Sequence, residues 1–134
     1  NKELIDKEKV ALKNEKLSPT SDAPISIPEL LFACPVAAEF SLKGIETMHD
    51  VVSHARTLAP MIGITSQSYE AAHKRLGALR AAATVWAIMQ FHDRIRAVGA
   101  YFRSITTGSK SADFSPERLI RRLATAQSYP SMNL

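Results

Sequence analysis

The chain has 134 residues, of which 46% are apolar and 22% charged, and its net charge is +4. This length suits one domain with an appendage and can bury a hydrophobic core. The longest nearly apolar run covers residues 81–89, whereas a membrane-spanning helix needs about 20 apolar residues, so no membrane span is predicted. The single cysteine, Cys34, excludes an internal disulfide, which agrees with a reducing, cytoplasmic compartment.

The first residues lack a basic stretch followed by an apolar one, which is the pattern of a secretory signal, and the chain begins at Asn1 and not at a methionine. We therefore expect a fragment of a longer cytoplasmic protein.

The charge is distributed unevenly along the chain. Residues 1–67 carry seven basic and nine acidic side chains, whereas residues 68–134 carry ten basic and four acidic ones, a surplus of six. Eight of those ten basic residues are arginine, whose planar guanidinium bonds two phosphate oxygens at once. A surplus of this size is equally consistent with a solvated helix surface.

The N-terminal quarter of the chain predicts an appendage. Residues 2–16 alternate acidic and basic side chains, which favours a weakly amphipathic helix supported by surface ion pairs. Residues 17–28 contain three prolines and no helical period, which predicts an extended linker. We therefore divide the chain into a charged helix and Pro/Ser-rich linker (1–27), a helical domain (28–126) and a tail (127–134).

One segment predicts a buried central helix. Between residues 81 and 89 only Thr84 is polar, and Leu79, Trp86 and Met89 recur at helical spacing. A helix that is apolar almost all round is normally buried on every side, so we expect a central helix over residues 77–97. The fold class is then all-α, a compact bundle of about five or six helices around this one.

Capping and helix-breaking residues outline the other helices. Before the central helix we predict, in chain order, a helix from Pro28 that stops before Pro35 and a short turn over 36–40. Two longer helices follow: one is capped by Thr47 and ended by Pro60 and Gly63, and the next is capped by Thr65 or Ser66 and closed by Gly77. After the central helix we predict a short helix over 101–107 stopped by Gly108 and a last helix opened by Ser115 and Pro116.

The sequence contains no pattern for catalysis, for a metal or for a cofactor. The four histidines lie five or more residues apart, so none forms the i, i+4 pair that flanks a glutamate in zinc helices. No serine lies in a nucleophile elbow, and no glycine-rich loop ends in Lys-Ser or Lys-Thr. Cys34 has no neighbour that would lower its pKa. We expect that the protein is not an enzyme and has no metal or cofactor.

Nucleic-acid binding is better supported. Seven basic residues fall within residues 94–122. The loop 106–110 adds hydroxyls, backbone donors and a cation, all of which suit a phosphate. Tyr101 and Phe102 could stack on a base, unless they are core residues. The last helix has an apolar side (Leu119, Ile120, Leu123) and a basic side. The candidate DNA-binding residues are Arg94, Arg96, Tyr101, Arg103, Lys110, Arg118, Arg121 and Arg122. An alternative is an oligomerisation or protein-interaction domain that meets a partner around Phe91, Ile95 and Phe102.

A succession of short motifs runs in unbroken order from residue 28 to about 124. It includes Leu-Leu-Phe-Ala-Cys-Pro (30–35), Arg56 with Met-Ile-Gly-Ile (61–64), Ser-Tyr-Glu (68–70), Ala-Ile-Met-Gln (87–90), Gly-Ala-Tyr-Phe-Arg-Ser-Ile-Thr (99–106) and Asp-Phe-Ser (113–115). This succession resembles the C-terminal domain of RepC, the replication initiator of repABC-type low-copy plasmids. Val98 and Ala100 depart from the family, which has proline and glycine there.

This resemblance implies a helical C-terminal domain of a cytoplasmic plasmid-replication initiator. In the family, an N-terminal winged-helix-like domain is thought to recognise the origin. The C-terminal domain would add DNA contacts, self-associate or recruit host replication proteins. Tyr101 and Arg103 match the family's tyrosine and arginine and carry over as functional or architectural positions.

Overall fold

A computed structural model describes residues 18–128, and these residues form seven α-helices, two single-turn 3-10 helices and no strand. The all-α prediction is therefore confirmed. The charged helix predicted over residues 2–16 lies outside the described residues, as does the tail after Ser128. The helices are α1 (Ile27–Ala33), α2 (Pro35–Glu39), α3 (Met48–Met61), α4 (Ser66–Leu76), α5 (Ala78–Phe91), α6 (Val98–Thr106) and α7 (Pro116–Ser128), with 3-10 turns at His92–Arg94 and Ser111–Asp113.

The central helix is α5, as its composition predicts. All of residues 81–89 are buried, and α5 packs against each of the other six described helices. The Trp86 indole donates to the Val51 carbonyl of α3 at 3.1 Å, and the Thr84 hydroxyl donates to the Arg80 carbonyl at 2.8 Å. Residues 81–89 can therefore be buried on all sides, because the hydroxyl of Thr84, their one polar side chain, has its hydrogen-bond partner within the helix.

The central helix ends earlier than predicted, at Phe91 and not at Ala97. A 3-10 turn, His92–Arg94, follows, and Ile95 is extended. Among residues 92–97 only Ile95 packs against the core, so continuing the helix would bury little apolar surface. Helical stability in proteins comes mostly from such packing. This explains why the polar residues 92–97 do not continue the helix.

Side-chain caps set the helix starts. Ser26 caps α1 in a reciprocal box with Glu29, so the helix begins one residue before Pro28. Thr47 caps α3, and the Asp50 carboxylate accepts hydrogen bonds from the backbone of Glu46 and of Thr47, both at 3.0 Å. These bonds hold the pKa of Asp50 below its usual value. The open alternative at α4 resolves to Thr65, whose hydroxyl accepts from the Ser68 amide at 3.1 Å.

Helix α6 begins at Val98, three residues before the predicted start. Residues 98–100, which precede the predicted helix, are themselves helical, and Gly99 lies in its first turn. A Cβ built on Gly99 would lie 2.6 Å from the carbonyl oxygen of Gly63, so the start of α6 packs directly on the turn between α3 and α4. Glycine is needed here because a backbone oxygen occupies the place of a side chain.

Gly99→Ala is expected to destabilise the protein by about 1–2 kcal/mol. Separating two backbone segments costs more than alanine gains from its helix propensity. Chemical denaturation followed by circular dichroism measures this. Gly44→Ala is the matched control because the nearest atom to its added Cβ is the flexible Glu46 carboxylate, at 4.0 Å. Equal stability of the two variants would contradict the close approach.

Candidate nucleic-acid interface

Five of the eight predicted DNA-binding residues are exposed cations that form no ion pair with any other residue between 18 and 128. They are Arg94, Arg96, Arg103, Lys110 and Arg122. An unpaired cation in water holds only counterions, which a phosphate displaces at little cost. These residues follow one another from the end of α5 to α7.

Arg118 is exposed but paired. Its guanidinium donates to the Asp22 carboxylate at 3.1 Å, where 44% of its side chain is exposed. The Ser115 hydroxyl donates to the same carboxylate at 2.7 Å and is the main cause of a lowered pKa at Asp22. Exposed pairs of this kind contribute little to stability, so a phosphate competes readily for Arg118. Arg118 and Arg122 are neighbours on α7 because they lie four residues apart.

Arg121 does not belong to the exposed set, and its prediction as a DNA-binding residue is wrong. It is 1% exposed. Its guanidinium donates to the two oxygens of the buried Glu29 carboxylate at 2.8 and 3.1 Å. It also donates to the carbonyls of Ser21, Ala23 and Pro24 at 3.0, 2.6 and 3.2 Å. All the N–H donors of the guanidinium are used in these hydrogen bonds. Arg121 therefore links α1 and the segment before it to α7.

The segment before α1 is consequently part of the packed structure. Ile25 is 4% exposed and belongs to the hydrophobic core. Arg121 and Arg118 hold residues 21–24 through the bonds described above. A second buried carboxylate, Glu117, pairs with Arg80 of α5 at 2.9 Å. The start of α7 is therefore held on two sides by ion pairs that link distant parts of the chain.

The two aromatic candidates differ in position. Phe102 is fully buried and stacks against Tyr69 of α4 with a centroid distance of 6.5 Å, so of the two roles left open for it the core role holds. Tyr101 is half-buried and meets the Phe91 ring edge-on at 6.2 Å. Arg103 lies on the outer side of α6 with its guanidinium next to Gly99. Of this group, Arg103 is the residue most available to a phosphate.

The loop after α6 uses its backbone donors internally. The Thr107 and Gly108 amides donate to the Arg103 carbonyl at 3.0 and 2.8 Å, and the Lys110 amide donates to the Ser104 carbonyl at 3.0 Å. The Thr106 hydroxyl donates to the Phe102 carbonyl at 2.7 Å. The amides of Thr107, Gly108 and Lys110 are therefore taken up within the chain, and a phosphate contact by this loop would rest on the Lys110 ammonium and on the exposed Ser109, which forms no hydrogen bond with another described residue.

Metal ligands, a reactive cysteine and membrane-spanning helices would each point to another kind of site within residues 18–128. No three His, Cys, Asp or Glu side chains in that range are grouped so that they could hold a metal ion. Cys34 is buried, and burial raises the pKa of its thiol far above the usual value. None of the described helices is both long enough and apolar enough to cross a membrane.

Comparison with known proteins places the chain in one family. Residues 26–126 match the family described as "Replication protein C C-terminal region". Two curated proteins named "Putative replication protein C" are similar: one from Rhizobium rhizogenes is 29% identical over 98 residues, and one from Sinorhizobium fredii is 25% identical over 99 residues. The matches cover 72% and 73% of this chain but 24% of each relative.

The chain thus spans about a quarter of the length of these relatives. No solved structure matches it. The family match covers most of the chain, including all of α1 to α6 and most of α7, and it agrees with the succession of motifs in the sequence. The chain belongs to the replication protein C C-terminal region family.

Proposed function

We propose that this chain is the C-terminal domain of a plasmid DNA replication initiator and acts in the cytoplasm by adding DNA contacts to origin binding. The observation that carries the proposal is the set of exposed cations between residues 94 and 122 that have no ion-pair partner within the described residues. Family membership supports a role in replication. Recognition of the origin sequence would rest with the rest of the initiator, and we propose no catalytic role for this domain.

The chemistry of the exposed cations favours phosphate contacts over base reading. Arg103, Lys110 and Arg122 are exposed on separate elements, and the candidate stacking residue Tyr101 is half-buried against Phe91. Phosphate contacts position a protein on DNA but carry no sequence information directly. Binding by this domain alone should therefore be similar for unrelated sequences and should weaken steeply with salt.

A fluorescence anisotropy titration against random single- and double-stranded DNA at several salt concentrations tests the proposal. The triple variant Arg103→Ala/Lys110→Ala/Arg122→Ala is expected to weaken binding to all sequences alike. The slope of log affinity against log salt should fall by about 0.9 for each lost contact to duplex phosphate. Arg121 is kept, because its loss would destabilise the fold and imitate a loss of binding.

The matched control is Lys43→Ala/Lys74→Ala/Arg75→Ala, which removes three exposed positive charges outside the candidate set. If binding depends only on net charge, both triple variants lose the same affinity, and the proposed interface is wrong. Absence of binding by the parent chain at low salt would contradict any DNA contact by this domain.

A second candidate function is a protein-interaction domain that self-associates or recruits host replication proteins. The surface expected around Phe91, Ile95 and Phe102 does not support it, because Phe102 is fully buried. A different observation does: between residues 18 and 128, five large apolar side chains are well exposed, namely Phe32, Phe40, Leu42, Met48 and Met61. The elution size of the chain across a concentration series separates self-association from DNA binding alone.

A further inference from the structure

A pocket opens at the C-terminal end of α3, where the chain turns into α4. Its volume is about 110 Å³, and its apolar lining comes from Ala59, Pro60, Ile64 and the Tyr69 ring. Arg56 and Glu70 form an ion pair at its rim. An apolar cavity of about 150 Å³ holds benzene, with six carbons, so this pocket has the size for a leucine side chain, with four.

The most exposed apolar side chain of the described residues is Leu42, which projects fully into solvent with a relative accessibility of 106%. It lies in the loop between α2 and α3, next to the half-exposed ring of Phe40. Glu39 and Lys43, both exposed, flank it on the two sides along the chain. Leu42 therefore forms an apolar projection between a negative and a positive charge.

The pocket and the projection lie at opposite ends of one helix. Leu42 precedes the N-terminus of α3, and the pocket is built on the C-terminus of α3; this helix has 14 residues, so its ends lie about 20 Å apart. Leu42 is fully exposed and therefore does not occupy the pocket of its own chain. Because the projection and the pocket lie on separate surfaces of one molecule, Leu42 can enter such a pocket only on another molecule.

We propose that Leu42 of one copy inserts into the α3–α4 pocket of a second copy, forming a head-to-tail contact. The Arg56–Glu70 ion pair at the rim presents one charge of each sign, as Glu39 and Lys43 do beside Leu42, so Lys43 can join the pair at Glu70 of the other copy and Glu39 can join it at Arg56. The contact uses different surfaces on the two molecules, so a pair of copies retains one free pocket and one free projection. Copies therefore add in a row along α3 or close into a ring.

A contact made by one loop and one pocket is small, so the isolated chain is expected to associate weakly, with a dissociation constant of about 0.1–1 mM. Copies gathered on one DNA molecule would be at a high effective concentration and would associate more fully. The proposal does not depend on the DNA contacts of this domain, because the association is measured without DNA.

Sedimentation velocity of the 134-residue chain over a concentration series tests the contact. The parent is expected to form a series of growing species. Leu42→Glu, which disables the projection, and Ser66→Trp, which fills the mouth of the pocket, are each expected to remain monomeric. A 1:1 mixture of these two variants retains one working projection and one working pocket, so it should form a dimer and nothing larger.

Both changes fall on exposed residues, and Thr65 still caps α4 in Ser66→Trp. Phe32→Glu, at another exposed apolar residue, is the control and should associate like the parent. If Ser66→Trp is poorly folded, charge reversal replaces it: Lys43→Glu and Glu70→Lys each weaken association about tenfold, and the double variant recovers it. The proposal is overturned by a parent that stays monomeric at 1 mM, by association that survives Leu42→Glu, or by a mixture that does not dimerise.

Discussion

Arg121→Ala is expected to lower the free energy of unfolding by about 3–5 kcal/mol. The substitution leaves the Glu29 carboxylate buried without its counter-charge, since Arg121 is the residue that pairs with it. It also removes the donors to three backbone carbonyls between Ser21 and Pro24. Urea denaturation with linear extrapolation measures the change.

Arg122→Ala is the matched control for this prediction. It removes the same side chain from the next position of α7, but Arg122 is exposed and makes no ion pair with a described residue. Its effect on stability should stay within about 0.5 kcal/mol. A loss of less than about 1 kcal/mol in Arg121→Ala would contradict the buried pair.

A double-mutant cycle identifies the partner. Glu29→Met and Arg121→Met each leave one buried charge unpaired, whereas the double variant leaves none. The double variant should therefore be destabilised by less than the sum of the two single variants, with a coupling of about 0.5–3 kcal/mol. Additive losses would mean that the two side chains act independently.

The stabilising role of Arg121 also changes how the arginine-rich helix is understood. The sequence of α7 places Arg118, Arg121 and Arg122 close together, and all three suggest a phosphate-binding side. In the structure Arg118 and Arg122 are exposed, whereas Arg121 is buried. Loss of DNA binding in a variant of Arg121 would therefore report on folding, whereas a variant of Arg122 reports on the surface.

Local patterns in the sequence were sufficient to predict most helices. Thr47 and Ser115 each precede a helix and accept a hydrogen bond from the amide three residues later. Gly77 closes α4 with a positive φ of 89°, which glycine adopts readily. The uninterrupted apolar run 81–89 predicted burial on all sides, as observed. Each of these features depends on residues within one or two helical turns.

Features that depend on distant partners were not predictable in the same way. The periodicity of α7 contains a signal: Glu117, Ile120, Arg121 and Ala124 are all buried and lie at the i, i+3, i+4, i+7 spacing of one helix face. Arg121 therefore belongs by position to the core-facing stripe. The partner that permits its burial, Glu29, lies 92 residues earlier, and nothing local connects the two.

The same reason explains the early start of α6 and the choice, left open by the sequence, between a buried and an exposed Phe102. The early start of α6 depends on the approach of Gly99 to Gly63, in a turn far away along the chain. The burial of Phe102 depends on Tyr69 of α4. Sequence patterns supplied the residue types of the candidate interface, but only tertiary packing decides which of those side chains reach solvent.

Trp86→Ala is expected to destabilise the protein by about 3–5 kcal/mol, the cost of removing a fully buried aromatic side chain. Trp86 is 0% exposed. Its indole joins α5 to α3 through the 3.1 Å bond to the Val51 carbonyl, and the His54 ring meets it edge-on with centroids 5.3 Å apart. The loss therefore weakens the contact between the central helix and one of its main neighbours.

Trp86→Phe separates the hydrogen bond from the packing. Phenylalanine keeps an aromatic ring but cannot donate to Val51, so we expect a smaller loss of about 1–3 kcal/mol. Trp86 is the single tryptophan, so its fluorescence disappears in both variants and far-UV circular dichroism must follow unfolding. The control is Phe32→Ala, which shortens an aromatic side chain that is 54% exposed and should change stability by about 0.5 kcal/mol or less. Equal losses in Trp86→Ala and Phe32→Ala would contradict the central position of α5, because a helix buried on all sides cannot lose its largest side chain without leaving a cavity.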